Sequence, residues 1–285
     1  ETLAPDSEIF RVGLADTLPQ ALTSREGPDV APRPSPDGSQ LAYLGYDDQR
    51  MGYDNMRLYV ANADGSEARI LSDSLDRSVG NPQWSGDGEA IYVQYEDHGE
   101  TVIALIGLDG SVEPLTRGLG GSDFGRPYAG GAFTVSQQGR FAATLTTPQR
   151  PAELATGTRE DALHALTDLN ADTLGERALS DAETVHWPSP FDGREIEGWV
   201  LYPPDFDPAQ QYPLILEIHG GPFTAYGPTF SAELQLMAAA GYVVIYTNPR
   251  GSTSYGYEFA NLIHHDYPGH DYEDLIGAVD MMLAR

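Results

Sequence analysis

The 285-residue sequence contains no cysteine and no lysine. Without cysteine it forms no disulfide, offers no thiolate nucleophile and holds no metal through cysteine. That absence is compatible with any compartment. All sixteen basic residues are arginine, set against 43 acidic ones, for a formal net charge of -27. A field of that sign repels nucleic acid and anionic lipid, so neither is expected as a partner. It suits cationic ligands or high salt, and it is equally the mark of a plain solubilising surface. No apolar run approaches the ~18 to 20 residues of a membrane-spanning helix, so no membrane association is expected. A charged-then-apolar leader is missing too, and the first residue is Glu1. The natural N-terminus is therefore expected elsewhere, and the compartment, cytoplasmic or periplasmic, is not legible.

What the chain does have is internal repetition. Residues 31–47, APRPSPDGSQLAYLGYD, resemble residues 81–97, NPQWSGDGEAIYVQYED, with Asp-Gly pairs at 37–38 and 87–88. A degraded third copy, TVSQQGRFAATL, places Gly139 at the matching point. Between copies run RLYVANADGSEARILS and TVIALIGLDGSVEPLT, each reading as strand, Asp-Gly-Ser turn, strand. SEIFRVGLADTLPQALT reads as the tail of an earlier unit. Asp-Gly favours tight hairpins because glycine accepts positive φ. Four short strands in roughly 50 residues describe a β-propeller blade, with a β-sandwich carrying repeated turns as the alternative. Alternation in LAYLGY and AIYVQY predicts half-buried strands. About three blades are visible, fewer than the ~4 to 8 that close a ring, so earlier blades are expected upstream.

From about residue 150 the period fades, and PAELATGTREDALHALTDLNADTLGERALS reads as a polar connector closing a propeller part at residues 1–180. Residues 181–285 read as the N-terminal half of an α/β domain. ETVHWPSP and REIEGWVLYPP are strand-like, and YPLILEIHGG is a continuous apolar strand of the kind buried in parallel sheets. A helix over residues 231–240 stops at Gly241, YVVIYTNPRGS is a second buried strand, and DYEDLIGAVDMMLAR predicts an amphipathic helix. Leu275, Ile276, Val279, Met282 and Leu283 would form its apolar side. The order strand, helix, strand, helix points to a largely parallel sheet.

In such sheets ligands gather at the carboxyl ends of strands. Both His219-Gly220-Gly221-Pro222 and Asn248-Pro249-Arg250-Gly251 lie there. Glycines let backbone N–H groups approach a ligand, and such donors suit the oxyanion of a tetrahedral intermediate. The motifs from EIHGGP through GYVVIYTNPRGSTSYG to DYED resemble, in order and spacing, the first half of the catalytic domain of prolyl oligopeptidase family serine peptidases. The resemblance is to the acylaminoacyl-peptidase-like branch, and the repeats upstream are similar to that family's β-propeller.

The resemblance implies that the Gly221 N–H is an oxyanion donor and that His219 lies beside the oxyanion. It implies for Arg250 either a loop anchor or a substrate clamp, and for Tyr226 and Tyr255 either substrate contacts or core aromatics. The family's nucleophile sits in G-x-S-x-G, followed by Asp and His. No serine here has glycines on both sides at that spacing, and GGSDFG at 120–125 falls in the repeats. The triad is thus expected beyond Arg285, this chain alone is expected to be inactive, and a segment bearing the triad, on the same chain or on a second one, is the implied partner. The expected activity is that of a serine peptidase releasing acylaminoacyl or dipeptidyl units from oligopeptides. An esterase on the same fold and a non-catalytic propeller binding protein are the alternatives. A homo-oligomer is allowed by the resemblance, and no cofactor is implied. The cluster His264, His265, Asp266, His270 and Asp271 has metal-ligand residue types but no recognised metal spacing, and no metal is expected.

Overall fold

The computed structural model describes residues 6–15 and 18–285; positions 1–5, 16 and 17, which include Glu1 and two positions of SEIFRVGLADTLPQALT, lie outside the described residues. Strands β1 (Phe10–Arg11) and β2 (Gln20–Ala21) form an antiparallel pair. Three antiparallel units of four strands follow. The first holds β3 (Asp29–Pro34), β4 (Gln40–Gly45), β5 (Arg57–Asn62) and β6 (Arg69–Ile70). The second holds β7 (Val79–Trp84), β8 (Ala90–Asp97), β9 (Glu100–Gly107) and β10 (Val112–Leu119). The third holds β11 (Phe133–Val135), β12 (Phe141–Thr147), β13 (Arg150–Gly157) and β14 (His164–Ala165). One pairing, Leu119 with Leu145, joins the second unit to the third.

The repeated turns have a common geometry. Gly38, Gly88 and Gly139 sit at φ of 74°, 75° and 76°, where a side chain would strain the backbone. In the first two copies the aspartate before the glycine accepts from a serine hydroxyl, Ser35 to Asp37 at 2.7 Å and Ser85 to Asp87 at 2.6 Å. The third copy keeps the glycine without the aspartate.

Two expectations need correction here. LAYLGY was expected to be half-buried, yet Leu41 to Gly45 are all buried. Each face of the blade meets its own core: Ala42 and Leu44 pack with Leu58 and Val60, while Leu41 and Tyr43 pack with Tyr59 and Ala61. Nor is the segment after residue 150 all connector. Its first half is β13 and β14, the outer strands of the third unit, and only the stretch around the short helix α1 (Ala171–Leu174) links the two parts.

The second part is a four-stranded sheet ordered β15 (Ala182–Pro188), β16 (Glu195–Leu201), β18 (Val243–Asn248), β17 (Leu214–Ile218). Only β17 and β18 run parallel, because β15 and β16 form an antiparallel hairpin and β16 is antiparallel to β18. The largely parallel sheet expected from the strand–helix order is therefore mixed among the described strands. β18 is buried throughout, whereas β17 lies at the edge and is half-buried to exposed. Helix α2 (Ala232–Ala239) is capped by Ser231, whose Oγ accepts from the Leu234 N–H at 3.2 Å. Two further helices, α3 (Tyr257–Asn261) and α4 (Asp271–Ala284), complete the chain. The buried face of α4 carries Asp274, Leu275, Gly277 and Ala278, with Leu283 exposed. It is rotated from the expected apolar side because Gly277 admits the Trp187 ring and Asp274 takes a buried arginine.

The two parts dock through backbone. The tip of the β8–β9 hairpin enters the second part, where the His98 N–H donates to Ser254 O at 3.1 Å and the Gly99 N–H to Ser254 Oγ at 2.7 Å. A Cβ on Gly99 would lie 2.5 Å from Tyr226 O, so only glycine fits this approach. Beside it the Ala129 N–H donates to Ala225 O, and the Gly227 N–H to Pro127 O.

Candidate active site

The corner after β17 is held from two sides. The propeller-like part contacts its far end at residues 225–227. The loop after β18 holds the rest. Asn248 clamps the Tyr226 backbone, with its Oδ1 accepting from the Tyr226 N–H at 2.8 Å and its Nδ2 donating to Tyr226 O at 2.8 Å. Asn248 Nδ2 also reaches Tyr255 Oη at 3.0 Å, and the Tyr255 hydroxyl donates to Glu197 Oε2 at 2.5 Å. The Thr253 N–H donates to Thr224 O at 3.0 Å.

His219 is buried beneath this corner. Its Nε2 lies 3.0 Å from Ser252 Oγ, its Nδ1 lies 3.2 Å from Gly220 O, and its ring meets the Tyr226 ring edge-on. Both ring nitrogens lie within hydrogen-bonding distance of protein atoms, and through Ser252 and Gly220 His219 supports the loop. Burial pushes its pKa below the ordinary value of 6.5, which favours the neutral ring. The unfolded chain then binds more protons just below pH 6.5. Stability owed to neutral His219 is complete above that pH and is lost as the pH falls through the folded-state pKa. Thermal melts between pH 7 and pH 5 should show a shallower acid-side loss of stability in His219→Gln than in wild type. Parallel slopes would refute this.

Gly220 and Gly221 are exposed. Gly221 sits at φ 140°, and among the described residues no protein acceptor takes its N–H. The corner thus presents a fixed backbone donor at the carboxyl end of a strand.

Arg250 and Tyr226 do not join that surface. The Arg250 side chain is 3% exposed. Its Nε and Nη2 each donate to Asp274 at 2.9 Å, Nη2 donates to Ser189 Oγ at 3.0 Å, and both Nη atoms reach Asp192. Tyr226 is fully buried, its hydroxyl donating to Glu217 Oε1 at 3.1 Å and accepting from Arg126, which also pairs with Glu217. Of the two roles the resemblance allows for each, the geometry of both residues fits anchoring in the core, because neither leaves a polar group facing open space. Tyr255 is likewise engaged with Asn248 and Glu197, and burial pushes its pKa well up.

The histidine cluster disperses. His264 Nδ1 accepts from the Gly52 N–H at 3.1 Å, and His270 stacks on Phe191. No group of three His, Asp or Glu among the described residues could hold a metal ion.

Sequence reasoning missed the cavity of about 340 Å³ beside this corner. It lies between Phe223, Thr224 and Thr253 on one side and Tyr53, Gln94 and Glu96 on the other. Phe223 and Thr224 directly follow HGGP, which was the one available signal.

Residues 228–285 match the prolyl oligopeptidase family. Over 217 residues, 76% of this chain and 32% of the relative, the chain is 36% identical to the uncharacterized peptidase YuxL of Bacillus subtilis. It is 30% identical over 287 residues to dipeptidyl-peptidase 5 of Porphyromonas gingivalis, covering 99% of this chain and 40% of that one. The solved acylaminoacyl peptidase of Pyrococcus horikoshii superposes with a TM-score of 0.77 at 24% identity, over 94% of this chain and 40% of that chain. The chain thus spans 32% and 40% of the lengths of these two curated relatives.

Proposed function

The chain belongs to the prolyl oligopeptidase family, and from that premise we propose that it is part of a serine peptidase acting on short peptides, removing acylaminoacyl or dipeptidyl units. The observation that carries this reading is the Gly221 N–H in the exposed corner that follows β17, which has no protein acceptor among the described residues. In this mechanism a serine supplied by sequence outside residues 1–285 attacks the scissile carbonyl, and a histidine from the same region takes and returns its proton. Gly221 donates to the oxygen as it becomes negative, which stabilises the transition state more than the substrate. The propeller-like part, docked on the same loop, restricts access to peptides small enough to enter the space between the parts.

The names of the relatives support peptide substrates of either kind, since one is a dipeptidyl-peptidase and another an acylaminoacyl peptidase. Full-length protein should hydrolyse dipeptidyl or acylaminoacyl nitroanilides and lose that activity to a fluorophosphonate. The 1–285 chain alone should turn over neither. Inertness of the full-length protein to both reagents sinks the proposal, and inhibitor-sensitive turnover by the pure chain sinks the placement of the nucleophile.

A further inference from the structure

One residue in the loop after β18 takes a backbone conformation that its side chain opposes. Ser254 lies at φ 82°, in the left-handed region that is unfavourable for any L residue. It is buried, and the residues on either side of it support the HGGP corner. Ser252 Oγ meets His219 Nε2 at 3.0 Å, and the Thr253 N–H donates to Thr224 O at 3.0 Å. Tyr255 Oη accepts from Asn248 Nδ2 at 3.0 Å, and Asn248 in turn clasps the Tyr226 backbone.

The hold on Ser254 comes from the propeller-like part. The β8–β9 ladder ends at the pair Asp97 and Glu100, which leaves the N–H groups of His98 and Gly99 outside it. Both turn residues have positive φ, 51° and 73°, as in the tight turns that suit hairpin twist. Both free N–H groups go to Ser254, His98 to its carbonyl oxygen at 3.1 Å and Gly99 to its Oγ at 2.7 Å. Two hydrogen bonds from one rigid turn are enough to offset a single left-handed side chain. Without them Ser254 would relax to negative φ. That rotation falls between Thr253 and Tyr255, so the supports on Thr224 and Asn248 could not both survive it.

We propose that Ser254 is a positioning residue for the Gly221 donor, kept left-handed by the β8–β9 turn so that the loop after β18 fits under the corner. The proposal deepens the peptidase reading, on which it rests for what the Gly221 N–H does. The propeller-like part then acts on the oxyanion donor through one strained residue, besides restricting access.

Amide hydrogen exchange on the 1–285 chain tests the hold on the loop without any peptidase activity. Ser254→Ala and Ser254→Gly both deprive the Gly99 N–H of its Oγ acceptor, but only alanine still bears the left-handed strain. The Thr253 and Tyr226 N–H groups report the two supports. They should exchange about tenfold faster in Ser254→Ala than in wild type, and within about threefold of wild type in Ser254→Gly. Amides of the β12–β13 ladder, in the third unit, should be unchanged in both. In the full-length protein, Ser254→Ala should lower kcat on a dipeptidyl nitroanilide about fivefold with KM within about twofold. Ser254→Gly should keep kcat within about twofold of wild type. Equal exchange in the two variants, acceleration that extends to the β12–β13 ladder, or an unmoved kcat in Ser254→Ala overturns the proposal. A full-length protein that hydrolyses no peptide overturns the peptidase reading, and the exchange contrast between the variants then still decides whether the turn holds the loop.

Discussion

Asp274→Ala should destabilise the chain by about 3–5 kcal/mol, the range for removing one partner of a buried ion pair. At roughly 2–4 °C per kcal/mol this lowers the melting midpoint by roughly 6–20 °C. Asp274 is completely buried and Arg250 nearly so, and Asp274 meets both the side chain and the backbone N–H of Arg250. With the carboxylate gone, the guanidinium keeps, among the described residues, Ser189, the partly exposed Asp192 and the face of Phe191. Its burial is then compensated only by the partly solvated Asp192, and the loop that starts at Arg250 loses its fixed point. Replacing both partners with apolar residues, Arg250→Met with Asp274→Leu, removes the stranded charge and should recover much of the loss, because Asp192 can be solvated. Differential scanning calorimetry on the three proteins decides the matter. A single mutant within about 1 kcal/mol of wild type, the scale of an exposed pair, would show that water reaches the arginine.

This network also shows which parts of the molecule the sequence exposes and which it hides. The turns at Gly38, Gly88 and Gly139 are legible because a positive φ leaves a residue-type signature at a fixed spacing. β13 is not legible, although it alternates buried and exposed like any half-buried strand. Its inward positions are Pro151, Glu153, Ala155 and Gly157, small or polar residues that carry no hydrophobic period. Glu153 is buried because Thr167 and the Leu169 N–H satisfy it, a pairing 14 to 16 residues away. The candidate site divides in the same way. His219 to Pro222 stands out as a motif, while its supports, Asn248 on Tyr226 and Thr253 on Thr224, are long-range contacts between ordinary residues. The buried orientation of Arg250 was likewise hidden, because Asp192 and Asp274 lie far from it in sequence. Glu96 and Asp97 look interchangeable in the string YED, and only the pleat of β8 sends one to two arginines and the other to a cavity.

In the full-length peptidase proposed above, Gly221→Ala should lower kcat about 100-fold, comparable to losing one oxyanion donor, with KM little changed. The alanine keeps the N–H but cannot hold its direction. At φ 140° an L side chain is strained whatever the space around it. The added Cβ would also lie 3.1 Å from both Phe223 N and Thr224 Cγ2. The peptide unit relaxes by turning, and the donor leaves the position where the negative oxygen forms. That oxygen carries its charge only in the transition state, so the loss falls on kcat and not on ground-state binding. Gly220→Ala is the matched control. A Cβ there meets nothing within 4 Å, and its φ lies outside the region that favours glycine. Steady-state kinetics on a dipeptidyl nitroanilide should therefore separate two adjacent glycines by about two orders of magnitude in kcat. Equal effects at both positions would mean that the corner shapes the site without donating to it.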